Sequence, residues 1–440
     1  MEQKLAILGG EKAVKIPPPH WQWPAKYDEE LQDIINQYKF GKSTNKGIPE
    51  IVDKLETEFA AYHNAKYALA LSSATACLHT AFFAAGVCSG VEVISPTYTF
   101  PATITPVFQL GGIPVLCDCF KDNGLIIPSE IEKKITKKTK VLVITHLWGH
   151  PCEMDEILKI VKKNKLLLIE DCSHAHLSTY KNQLVGTFGD IAVFSFDNQK
   201  MPASGEAGLL ITNNQELYER CIVFSDFCGR NTSQIRLKKY LNFKETGIGL
   251  KYRIHPLGAA QAYFKFKKLQ ELNAMRNKML LYFSDRLKEI KSIISPKIKE
   301  NCTMGAWYGY KPLYNSLEVS PDFLAKNNKL LNFTKNKKQL HIQDYIKILN
   351  AEGVDVRQTV TPPLHRTFLF NKIKEVFKIC PNFAVNKFDD YPKYKSKDFP
   401  NAEWYYKNHL SFPTFSFEKD KSLIDEYVEA IKKVEFNISN

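Results

Sequence analysis

Two neighbouring stretches decide the fold: Leu166–His176, LLLIEDCSHAH, and Ile191–Gly208, IAVFSFDNQKMPASGEAG. Each begins as a short, continuously apolar run and breaks into polar and small residues at its carboxyl end. A run of this length, apolar on both faces, reads as a strand buried in a parallel sheet. Five further runs have the same form: Tyr67–Leu71, Glu92–Ser95, Pro114–Cys117, Val141–Thr145 and Gly208–Thr212. Amphipathic stretches such as Met154–Lys163 lie between them. This alternation predicts βαβ units and a mainly parallel sheet. Such sheets bind ligands beyond the carboxyl ends of their strands, so the polar residues that follow each run are the candidates for chemistry.

Asp171 ends LLLIED. A carboxylate there can hold a proton on a ring nitrogen, and it can equally cap a following helix. His174, three residues on, can reach a ring oxygen or be a satisfied structural histidine. Lys200 lies in a turn containing Ser and Gly. In a desolvated pocket its amine becomes nucleophilic enough to form an imine. By spacing alone, it is one more surface lysine. Ser195 precedes it by five residues, close enough to reach a phosphate. Ser73, Ala74 and Thr75 stand where a strand turns into a helix. Free backbone N–H groups at such a turn suit a phosphate, although an ordinary Ser or Thr cap looks the same. Phe100, after the run at Glu92–Ser95, can stack on a planar ring or simply pack in the core.

The composition narrows the classes. The 440 residues suggest two or three domains, and the hydrophobic fraction of 44% is ordinary for a globular protein. Pro256–Ile294 reads as a helical connection. The boundary is therefore placed at 1–265 for a large domain that carries these strand ends and 266–440 for a smaller C-terminal one. Asn327–Lys338 and Tyr391–Pro400 read as irregular surface segments, and Leu423–Val434 as the last helix. No apolar stretch is long enough to span a membrane, and the first residues lack the layout of a signal peptide, so a cytoplasmic protein is expected. The ten cysteines contain no CxxC pair and read as reduced thiols, not as disulfides or metal ligands. The net charge of +13 comes from scattered lysines. With no aromatic-interleaved basic strip, it predicts solvated faces and no nucleic-acid partner.

Taken in order, these segments resemble the DegT-type nucleotide-sugar aminotransferases. The resemblance runs from about Leu5 to the final helix. SFDNQKMPASGEAG is similar to the family's S-F-x-x-x-K segment with its following G-E-G-G. Glu170, Asp171 and His174 match E-D-x-x-(Q/H). Ser73-Ala74-Thr75 matches the S-G-T turn, Thr99-Phe100 the stacking pair, and Gly249–Arg253 the G-x-N-Y-R segment. The resemblance implies an aspartate-aminotransferase-like fold of type I: a large, mainly parallel α/β/α domain and a smaller C-terminal α+β domain. It implies pyridoxal 5'-phosphate bound as a Schiff base to Lys200, the catalytic residue. Ser73, Ala74, Thr75 and Ser195 then hold the phosphate, Asp171 the ring nitrogen, Phe100 the ring face and His174 the ring oxygen. Lys251, standing where the family has Asn, would come from the second subunit of a homodimer. Ala74 and Ala207 also replace glycines, so the phosphate turn must avoid a positive φ at residue 74.

The form with His174 and the opening AILGG resemble a subgroup that includes cyclitol aminotransferases and aminohydroxybenzoate synthase. The implied reaction moves an amino group from Glu or Gln to a keto acceptor. A keto sugar on a nucleotide comes first, with a small phosphorylated ketone or a keto-cyclitol beside it. Related dehydratases carry His at the position of Lys200, which argues against that chemistry. A non-catalytic relative is the remaining alternative. Trp307–Tyr310 and His365–Arg366 are the candidate acceptor contacts.

Overall fold

The computed structural model describes residues 4–19, 25–38, 41–305, 307–327, 329–332, 334, 338–359, 361–379 and 390–440. All seven apolar runs are strands: β1 (Tyr67–Leu71), β2 (Glu92–Pro96), β3 (Ile113–Cys117), β4 (Thr139–Thr145), β5 (Leu167–Asp171), β6 (Ile191–Ser195) and β7 (Gly208–Thr212). They form one sheet in the order β1-β7-β6-β5-β4-β2-β3. The pairings from β6 to β3 are parallel, whereas β7 runs antiparallel to both β6 and β1. The carboxyl ends of β1, β2, β4, β5 and β6 therefore share one edge.

The sheet is covered on both faces, which explains the absence of polar alternation in its strands. In β1, Leu69 and Leu71 join a core with helix α2 (Ala74–Ala84), α3 (Met154–Asn164) and α4 (Gln215–Ser225). Ala68 and Ala70, on the opposite face, join a second core with α1 (Glu50–Tyr62) and the start of α5 (Pro256–Arg286). The same period of two divides Ile191 and Val193 from Ala192 and Phe194 in β6.

The long helix α5 runs across residues 265 and 266. Its later residues, including Met279, Leu280 and Phe283, enter a third core with α6 (Ile342–Ala351) and α7 (Lys421–Ser439). Leu5 and Val14 belong to this core as well. Their segment is held by Glu352, a fully buried carboxylate that accepts from the backbone N–H of Ala6 (2.7 Å) and Ala13 (3.2 Å) and pairs with Lys433 (2.9 Å).

The nine described cysteines are free thiols, and Cys380 lies outside the described residues, as does part of Asn327–Lys338. No described helix is long and apolar enough to cross a membrane.

Candidate active site

The edge that carries the strand ends also carries the predicted residues. Gly208 is their meeting point: it pairs with Leu71 on one side and Ser195 on the other. Ser73, two residues past Leu71, caps α2 by accepting from the Ala76 N–H at 3.1 Å. The N–H groups of Ala74 and Thr75 occupy the first helical turn, where no carbonyl of the helix can reach them. Residue 74 is absent from the positive-φ residues, as the Gly-to-Ala departure requires. Ser195 is buried, and its Oγ accepts from the Asp197 N–H at 3.3 Å.

Gly208 lets these parts approach. A Cβ there would lie 2.5 Å from Ala74 N and 2.5 Å from Ser73 C, both backbone atoms. Gly208→Ala is therefore expected to push α2 off β7, to cost about 1–3 kcal/mol in equilibrium unfolding, and to release the cofactor more readily on dialysis. Unchanged stability would show that the turn yields freely.

Asp171 is buried, and each of its carboxylate oxygens has a donor. Thr103 Oγ1 donates to Oδ2 at 2.7 Å, and the Ser173 N–H donates to Oδ1 at 3.1 Å. Thr103 in turn meets Thr99 (2.9 Å), which meets Thr145 (2.8 Å). This threonine chain holds one rotamer of Asp171. Thr103 was not found by sequence reasoning, because a single Thr in TFPAT carries no distinguishing pattern.

Next to it, Glu170 is completely buried and carries four hydrogen bonds. It accepts from the N–H groups of Gly186 (2.8 Å), Phe188 (2.8 Å) and Gly189 (2.6 Å), and from His146 Nε2 (3.0 Å). His146 Nδ1 accepts from the Cys152 N–H at 3.0 Å, so the ring proton sits on Nε2. His146, Glu170 and Cys172 lie close enough together to suggest a metal site. The lone pairs of His146 and Glu170 are instead committed to these bonds, and burial pushes the Cys172 thiol well above its usual range.

Lys200 follows β6 in a turn, and its Nζ stands 3.8 Å from the centre of the Tyr308 ring. Burial lowers its pKa to about 8, against the opposing pull of Asp171 and Asp197. A free amine is thus accessible near neutral pH. Tyr308 also stacks on His174, with ring centres 3.8 Å apart, and Trp148 packs beside both, 5.3 Å from His174 and 5.9 Å from Tyr308. Burial, then Lys200 and Lys311, hold His174 well below the usual histidine range, so it is a neutral imidazole at pH 7. His176 is buried beside Phe194 and Phe196.

A cleft of about 700 Å³ opens in front of this group. Its walls include Phe100, Trp148, His174, Tyr308, Lys311 and Arg357. Phe100 is 60% exposed, so its ring is available to a ligand and is not spent on the core. Tyr308 faces the cleft while Trp307, its neighbour, is fully buried in the C-terminal core. His365 is elsewhere: it is buried between Thr97 Oγ1 (2.8 Å) and Glu403 (2.9 Å), and neither it nor Arg366 lines the cleft.

The Gly249–Arg253 segment is fastened to its own subunit. The Tyr252 carbonyl accepts from the Ser72 N–H at 2.7 Å, and Arg253 pairs with Asp226 at 2.6 Å. Lys251 between them is exposed and has no ion-pair partner among the described residues.

The arrangement is an amine of lowered pKa, a fixed buried carboxylate, a serine-capped helix start and an exposed aromatic ring. Residues 25–431 match the model of the DegT/DnrJ/EryC1/StrS aminotransferase family. The chain belongs to this family. It is accordingly a pyridoxal-phosphate-dependent aminotransferase. A putative L-glutamine:3-amino-2,3-dideoxy-scyllo-inosose aminotransferase of Micromonospora echinospora is 30% identical over 377 residues, covering 84% of this chain and 83% of its own. GDP-perosamine synthase of Escherichia coli O157:H7 is 42% identical over 173 residues, 39% of this chain and 48% of the relative. An aminotransferase structure from Psychrobacter cryohalolentis superposes with a TM-score of 0.77 at 24% identity, covering 96% of this chain and 100% of that one. Its fold, like this one, is that of the family.

The residues present fit the cofactor. Gly208 pairs with Ser195, and its missing Cβ lets the backbone at Ser73 and Ala74 lie against it.

Proposed function

We propose that this enzyme moves the amino group of L-glutamate or L-glutamine to the keto carbon of a carbohydrate-type acceptor. The first choice is a nucleotide-linked keto sugar, in surface-polysaccharide or secondary-metabolite biosynthesis. The observation that carries the reaction type is Lys200, an amine with a pKa of about 8 near the carboxylate of Asp171. A histidine at that position would suit the dehydratases of the family and could not bond the cofactor's aldehyde.

Bound pyridoxal phosphate supplies a ring that accepts the electrons left when a Cα–H bond of the donor breaks. The chain's own residues do the rest. Lys200 Nζ would take the proton from the donor's Cα as general base and return it as general acid. Asp171, held by Thr103 and the Ser173 N–H, would keep a proton on the ring nitrogen. The Ala74 and Thr75 N–H groups, with the hydroxyls of Ser73 and Ser195, would hold the phosphate. Phe100 would cover the ring face, and neutral His174 would meet the ring oxygen. Lys251 of a second copy would reach the phosphate in a homodimer. Its exposure supports this, as do exposed Leu241, Phe243, Ile248 and Leu257 along the chain on either side of it.

Sugar chemistry is favoured by the identity to a GDP-perosamine synthase over 173 residues. A keto-cyclitol acceptor is the second reading, favoured by the relative of that class matched over 84% of the chain.

The donor half is tested without knowing the acceptor. Mixed with L-glutamate alone, the holoenzyme should lose the visible absorbance of its bound cofactor and release 2-oxoglutarate in stoichiometric amount. Colour retained with glutamate, glutamine and every other amino acid tried would refute amino transfer. Nucleotide keto sugars and keto-cyclitols, added to the bleached enzyme, should restore the colour for the true acceptor class. Full activity in a species that light scattering finds monomeric would exclude the shared site.

A further inference from the structure

We infer that the cleft in front of Lys200 contains an oxyanion subsite built from Lys311 and Arg357, which takes a carboxylate or phosphate group of a substrate. This rests on the reading of that cleft as the substrate site of an aminotransferase.

Lys311 is held in place by several neighbours. Its side chain folds back across Gly309: a Cβ on that glycine would come within 2.8 Å of Lys311 Cε. Its Nζ lies 4.5 Å from the centre of the Trp148 ring, the same ring that packs beside His174 and Tyr308. It donates to Ser411 Oγ at 2.6 Å and approaches Thr359 Oγ1 at 3.4 Å. Both partners are neutral oxygens. No described carboxylate forms an ion pair with Lys311 or with Arg357.

The surrounding charges make matters worse for a cation. Arg357 repels Lys311, and Lys311 in turn depresses His174 and His409. Lys200 also depresses His174. Asp355 is the one described acid on the cleft wall, and it is exposed. Burial, then Arg357, brings the Lys311 amine down to about 7. A buried amine beside a guanidinium, with hydroxyls for company, is an arrangement that an incoming anion stabilises.

The location gives the subsite a use. Lys200 lies over the Tyr308 ring and Lys311 over the Trp148 ring, two members of one aromatic cluster whose centres are 5.9 Å apart. A substrate whose reacting atom faces Lys200 would direct an anionic group across that cluster toward Lys311. In amino transfer, donor and acceptor occupy one site in turn. The donor has a carboxylate, and a nucleotide-linked acceptor has a diphosphate.

Anion binding should also recruit a proton. With its pKa near 7, Lys311 is largely neutral at pH 8, and a bound oxyanion raises that pKa. Calorimetry of the holoenzyme at pH 8, in two buffers of different ionisation enthalpy, reads both affinity and proton uptake. Succinate probes the donor carboxylate and GDP the acceptor diphosphate. For wild type, at least one probe should bind with net proton uptake. In Lys311→Gln, which keeps a partner for Ser411, that probe should bind roughly 10–100-fold more weakly and without the uptake. Arg357→Gln should weaken the same probe.

Loss confined to succinate would assign the subsite to the donor, and loss confined to GDP would assign it to the acceptor. Affinities and proton uptake unchanged in both variants would overturn the inference, as would a wild-type enzyme that binds neither probe. The broader reading fails separately. If no amino acid bleaches the wild-type enzyme while anion binding still depends on Lys311, the subsite stands and amino transfer falls.

Discussion

A Lys200→Met enzyme is expected to lose turnover by about 10⁴-fold or more, because it lacks the group that would both bond the cofactor and carry the Cα proton. The bound cofactor should become exchangeable by dialysis, and the visible absorbance of the covalently held form should disappear. Added small primary amines should restore part of the proton transfer, since the remainder of the site is left standing. Retention of covalent cofactor in Lys200→Met would place the attachment on another lysine, with Lys311 the next buried amine in the cleft.

The same substitution has an opposite effect on the empty protein. Burial lowers the Lys200 amine to about 8. Below that pH the folded chain must hold a poorly solvated charge. Between pH 8 and the ordinary lysine range, the unfolded chain carries a proton at residue 200 that the folded chain has released. Wild-type stability from this residue therefore rises as pH increases through that window, and it is lowest below it. At about 1.4 kcal/mol per pH unit, the cost is at most roughly 3 kcal/mol. Cofactor-free Lys200→Met should thus unfold at higher denaturant than wild type at pH 7, and the difference should close near pH 10.5. The capture of cofactor by wild type should become faster as pH rises toward 8. A difference that grew with pH would contradict this account.

The parts of the site that could be read from the sequence are those placed by strand ends. Asp171, Ser195 and Ser73–Thr75 each follow an apolar run, and the sheet carries all such ends to one edge. The antiparallel placement of β7 has no sequence signal, yet it puts Gly208 between β1 and β6. The cleft's other wall comes from irregular backbone at residues 308–311, 355–359, 361–362 and 411–414. No periodicity distinguishes Tyr308, which faces the cleft, from Trp307, which is core. His365 resembled a ligand contact because TPPLHRTF is rich in turn residues. It is in fact a buried link between Thr97 and Glu403, two partners far from it in sequence. Lys311 was hidden for a related reason. Among so many lysines, only burial singles one out, and burial is a property of the packed chain.

Glu170→Gln should be strongly damaging although it is isosteric. The carboxylate is an acceptor for four donors: the Gly186, Phe188 and Gly189 N–H groups and His146 Nε2. An amide has only one oxygen. Whichever way it turns, its NH₂ must face N–H groups in a site with no solvent access, and those donors lose their partner. Each buried donor left unsatisfied costs about 1–3 kcal/mol, so a total loss of roughly 3–5 kcal/mol is expected in equilibrium unfolding. His146 cannot compensate by taking the other tautomer, because its Nδ1 is committed to the Cys152 N–H. The damage should also spread to the neighbouring residue. Glu170 and Asp171 are consecutive in β5, so a shift of the 186–189 loop or of His146 moves the backbone that carries Asp171, the proposed partner of the ring nitrogen. Cofactor affinity should therefore fall together with stability, whereas Glu170→Gln folded and holding cofactor as tightly as wild type would show that Thr103 and the Ser173 N–H fix Asp171 without help from Glu170.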